Sequence, residues 1–110
     1  MDAIDRIQRK IDALQDARQH LHSHYLLNQQ PSNMAALADL DRMIFDLMGK
    51  QVRARQAAPL PSISLTEAAS LQAAVRALQT ALRQSAAVSQ ILFAATTLAS
   101  LPGDDPTLPP

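Results

Sequence analysis

Three histidines fall within five residues, His20, His22 and His24 in the run HLHSH. On a helix, Asp16, His20 and His24 form one row a turn apart, and two histidines at that spacing can grip zinc or nickel. A catalytic zinc needs more than this. The Glu of an HExxH motif is missing, and no third ligand or orienting partner can be picked out elsewhere in the chain. The cluster therefore reads as solvated or weakly structural, and no metal ion or cofactor is assigned.

The other chemistry-bearing residues are fewer. Lys50, Arg53 and Arg55, with Arg42 nearby, form a small basic group. No aromatic is interleaved for base stacking, and cations in a last helical turn suit the helix dipole, so nucleic-acid binding is not expected. Gly49 and Gly103 cannot make a phosphate-cradling loop. The single glutamate, Glu67, fits a helix cap, and the aspartates fall on expected solvent faces, which leaves no general acid–base pair. Cysteine is absent, which removes disulfides, thiolate metal sites and thiol catalysis together. An enzyme is not expected.

The elements that would position any site are helical. At 110 residues there is room for one domain, and Ala, Leu and Gln dominate a chain with two glycines and three aromatics. Ten basic residues balance ten acidic ones, so no net field draws polyanions. The N-terminus, MDAIDRIQRKID, lacks the apolar core of a cleavable signal. The expected location is cytoplasmic, with export by a route that uses no cleaved signal left open.

From about residue 2 to 28, apolar residues keep heptad spacing: Ile4, Ile11 and Tyr25 in one series, interrupted by Arg18, and Ile7, Leu14 and Leu21 in the other. Pro31 breaks this helix, and Ser32 or Asn33 can cap the next, expected over about 34–56. There Leu37, Leu40, Ile44, Leu47 and Gln51 alternate by three and four, widened by Met43, Met48 and Val52. Arg42 with Asp46 and Asp46 with Lys50 are expected ion pairs, and Gly49 marks either a close backbone contact or an early fray. The segment 57–64, with Pro59 and Pro61, is a linker. Ser64 and Glu67 then fit a capping box at the start of a third helix.

That third helix reads as continuous from Leu65 to Leu101, with no Gly or Pro and only Arg76 and Arg83 charged beyond Ala68. It would reach roughly 55 Å, against roughly 39 and 35 Å for the first two. The excess must overhang, find a partner, or kink near Ser85 and fold back as a fourth helix. Residues 84–103 are uncharged and close to a membrane span in length, but two Gln, three Ser, two Thr, a Pro and a Gly dilute six large apolar residues, which argues against insertion. The expected fold is an all-α antiparallel three-helix bundle, up-down-up, becoming four helices with such a kink. It occupies residues 1–101 and is followed by a disordered proline-rich tail at 102–110.

In an up-down-up arrangement the charge-free end lies beside the turn between the first two helices. Leu21, Tyr25, Leu26, Leu27 and Met34 on one side, and Val88, Ile91, Leu92, Phe93 and Leu98 on the other, then form an apolar pole too large to hide on one helix face. This is the expected partner-binding surface, for a second copy or another helical protein. The hairpin, with Pro31-Ser32-Asn33 at its turn and Leu37 and Leu40 following, resembles the small helical-hairpin subunits of bacterial type III secretion needles. The resemblance covers about half the chain and carries no residue roles. An alternative reading is thus a secretion-linked or membrane-active small helical subunit.

Overall fold

The computed structural model describes residues 3–27, 30–56, 65–84 and 86–101. Four helices occupy nearly all of them: α1 (Ala3–Leu27), α2 (Pro31–Gln56), α3 (Leu65–Arg83) and α4 (Val88–Ala99). The protein is all-α, and no strand occurs among the described residues. The linker 57–64 with Ser64, and the tail 102–110, lie outside them.

The heptad stripes of α1 and α2 meet as their spacing requires. Ile7, Ile11, Leu14 and Leu21 of α1 are buried against Leu37, Leu40, Ile44 and Leu47 of α2. Polar rungs mark the register along the edges of this pair. Gln51 Nε2 donates to Gln8 Oε1 at 2.7 Å, Arg18 pairs with Asp41, and the Tyr25 hydroxyl donates to Met34 Sδ at 3.8 Å. The two residue numbers of each rung have the same sum, the signature of one unbroken antiparallel pair.

Two local expectations for α2 change. The helix begins at Pro31, not near Met34. Proline suits a first helical position because its φ is preset and no N–H is wanted there. The N–H groups of Asn33 and Met34 accordingly donate to the Gln30 carbonyl at 3.0 and 3.3 Å. Arg42 pairs back to Asp39 at 3.1 Å, where Asp46 was the expected partner. The helix also runs through Gly49 to Gln56, so the glycine is not an early fray.

The third element is interrupted: where the sequence offers either one helix from Leu65 to Leu101 or a kink near Ser85, the described residues hold two helices. The first stops after Arg83, and a short connection leads into α4. The Ala86 N–H reaches back to the Ala81 carbonyl at 3.0 Å, and the Ala87 carbonyl starts the next helix by accepting from Gln90 at 2.9 Å and Ile91 at 3.1 Å. No Gly, Pro or side-chain cap enforces the break. Burial does. Turning back places Ile91, Ala95 and Leu98 in the core, and each large side chain so covered contributes about 1.5–3 kcal/mol. The turn forfeits a few helical hydrogen bonds worth about 0.5–1.5 kcal/mol each, and some are remade in the turn itself.

α4 packs against all three other helices, whereas α2 and α3 do not meet among the described residues. Its far end is held by α1. Lys10 is 0% exposed, and its ammonium donates to the Leu101 carbonyl at 2.7 Å, just past the end of α4. One turn earlier, the buried Arg6 guanidinium donates to Glu67 Oε2 at 3.0 Å, in the first turn of α3. Glu67, expected to serve a local cap, thus joins two helices. These contacts put α4 antiparallel to α1, with α3 parallel to α1.

Two outcomes follow for stability. Leu98→Ala should cost about 2–5 kcal/mol in denaturant unfolding, because Leu98 is fully buried, while Phe93→Ser, on the solvent side of the same helix, should change stability by less than about 0.5 kcal/mol. Lys10→Met should remove about 1.5–3 kcal/mol and accelerate amide exchange at residues 98–101, with exchange in the α1–α2 pair little changed.

Candidate functional site

The fold divides the ten residues expected to form an apolar pole. Leu21, Ile91 and Leu98 lie in the protein's own core and offer no free surface. Tyr25, Val88 and Leu92 are half-buried against that core. Leu26, Leu27, Met34 and Phe93 are exposed. The two halves of the expected pole also part company along α4. Its first turn lies beside the end of α1, but Leu98 sits at the opposite end of the molecule, near Lys10.

What remains at the pole is a cleft. Leu21, Ser23, Leu27 and His20 of α1 face Ala86, Ala87, Val88 and Ile91 across a cavity of 330 Å³. Its walls mix small and apolar side chains with the polar His20 and Ser23, and Leu27, 89% exposed, is among them. The residues are there for separable reasons. Leu27 closes α1 just before the turn to α2, and Ala86 to Val88 arrive because α4 must turn back to bury its apolar face. Among the described residues, no Asp, Glu, Lys or Arg lines the cleft.

A second exposed apolar feature lies on α2 and escapes a reading that assigns each helix one apolar face. The buried series Asn33, Leu37, Leu40, Ile44, Leu47, Gln51 and Ala54 steps by four and three. One residue further on, a parallel series does the same: Met34, Ala38, Asp41, Phe45, Met48, Val52 and Arg55, every member exposed. In the sequence, Met48 and Val52 look like a widening of the first series, and Phe45 has no evident role. With the first series fixed inward, they belong to a second seam.

The histidines do not converge. His20 lines the pole cleft, whereas His22 borders a groove on another side of α1 with Gln15, Arg18, Gln19, Asp41 and Ile44. The side chain of His24 lies outside the described residues. Among those described, no group of three or more potential ligands of the His, Cys, Asp or Glu type comes together. Arg53 and Arg55 occupy the last turn of α2, where cations suit the helix dipole. No helix of the described residues is long and apolar enough to cross a membrane.

In comparisons with known proteins, the chain matches no family model, no curated protein and no solved structure.

Proposed function

We propose that this protein is a small helical interaction module, acting by binding without catalysis, and that the pole between the end of α1 and the start of α4 receives an apolar helix face of a protein partner. The observation that carries this reading is the exposure of Leu27 in a cleft that, among the described residues, no Asp, Glu, Lys or Arg lines. A large apolar side chain held in water gains about 25 cal/mol for each Å² of its apolar surface that a partner covers. Leu26 and Met34, which flank the α1–α2 connection in sequence, are exposed too, and the Tyr25 hydroxyl donates to Met34 Sδ. In this reading the four helices act as one closed bundle, and the charge-free segment completes the cleft from its own first turn instead of overhanging it.

The test is selection of amphipathic helical peptides on the intact protein. Peptides with an apolar face should be retained by the parent and lost with Leu27→Asp, and in the parent they should shift the amide resonances of Ser23, Leu27, Ala86 and Val88. Equal retention by the variant, or shifts confined to other residues, would remove the pole from the proposal. Leu27→Asp should leave thermal stability within about 0.5 kcal/mol of the parent, since the residue is solvent-facing.

A further inference from the structure

We infer that the outer seam of α2 is a self-association surface, on which α2 of a second copy packs antiparallel about a two-fold axis through Met48. This surface is separate from the pole and does not depend on the function proposed for it.

Among the described residues, seven large apolar side chains are exposed, and three of them, Phe45, Met48 and Val52, lie together on this seam, with Met34 at its pole end. Alternation by four and three is the spacing at which one helix keeps a line of contact with another, so the occupant is a helix. α2 packs on α1 and α4, and the seam borders α1 through Arg18–Asp41 and Tyr25–Met34, while Phe45, Met48 and Val52 stay exposed. Phe45, at 79% exposure, stands well clear of both.

The seam also specifies which helix. Read outward from Met48, its steps are three then four toward the N-terminus and four then three toward the C-terminus. An antiparallel copy therefore sets Met48 against Met48 of the second copy, once, on the axis; Phe45 meets Val52 of the second copy, and Asp41 meets Arg55 of the second copy, each twice as a two-fold interface requires. A parallel copy would set Asp41 against Asp41 and Arg55 against Arg55, which like-charge repulsion disfavours. Asp41 is still half exposed while paired with Arg18, so it can accept a second cation. Met34 and Ala38 would lie past the end of the opposing helix in this register, which leaves the pole uncovered.

Gly49 supplies an independent observation. A glycine inside a helix costs about 1 kcal/mol relative to alanine. Among the described residues nothing requires it: a Cβ built there would meet the tip of the Arg53 side chain at 3.6 Å, an ordinary contact. It flanks Met48, where two α2 helices related by this axis would approach most closely. The missing side chain lets them do so.

Sedimentation equilibrium of the full chain over a concentration series tests the inference. The parent should show a monomer–dimer equilibrium, and Met48→Glu, which brings two carboxylates together on the axis, should weaken it at least tenfold with the circular dichroism spectrum unchanged. Asp41→Arg and Arg55→Asp should each weaken it severalfold, and the two together should restore it, an outcome that only the antiparallel register produces. Leu27→Asp should leave the dimer intact. A parent that stays monomeric throughout, a dimer indifferent to Met48→Glu, or a double charge exchange without rescue would each overturn the inference. A dimer lost with Leu27→Asp but kept with Met48→Glu would overturn it too, and would assign self-association to the pole.

Discussion

A fully buried ammonium must be met by oxygen, because leaving it unpaired in a low-dielectric interior costs several kcal/mol. For Lys10 the oxygen includes the carbonyl of Leu101, at the far end of the chain from it. This contact sets where α4 finishes, and hence that α4 runs back along α1 and does not project beyond it. Arg6, one turn earlier, holds the start of α3 through Glu67 in the same way. The N-terminal half of α1 is thus a hub with a charged inner edge. Apolar packing supplies the attraction, and the two cations select which helix ends come together.

Much of this is legible in the sequence, and the illegible parts share a cause. The stripe of α1 and the inner stripe of α2 are local patterns with a period, and they predict the buried residues down to Gln51. The ends of α2 at Gln56 and of α3 at Leu65 follow from the prolines between them. By contrast, the break after Arg83 has no local mark. It arises because Ile91, Ala95 and Leu98 find a surface only when the chain reverses, and a continuous helix is what the same residues would form alone. Glu67 adds a tie that no local pattern announces: its carboxylate accepts from Arg6 on another helix, whereas the cap expected with Ser64 lies outside the described residues.

The candidate site is legible in outline and for a partly different reason. Leu27, Val88 and Ile91 do come together with Leu21, but the meeting place is the hinge of α3 and α4, not the end of an overhanging helix. Leu98 is carried to the other end of the molecule by the same reversal. The outer seam of α2 is hidden from a sequence reading because two interleaved heptad series, one residue apart, look like a single broad apolar face. Only when the first is known to be buried does the second stand out.

The hydroxyls of α4 have a consequence for how the chain folds. Thr96, Thr97 and Ser100 each donate to the carbonyl four residues earlier in their own helix, so they direct nothing toward a neighbour, and no charge on α4 does so either. α4 therefore carries little information about its own docking register and depends on Lys10, 91 positions away, to supply it. Contacts that distant form late, because closing the intervening chain costs entropy that few early contacts offset. The α1–α2 pair, joined by a short turn and already aligned by its polar rungs, can assemble without that cost. The order of assembly is then hairpin first and α4 last, and a nascent chain would present Lys10 to solvent until the final helix arrives.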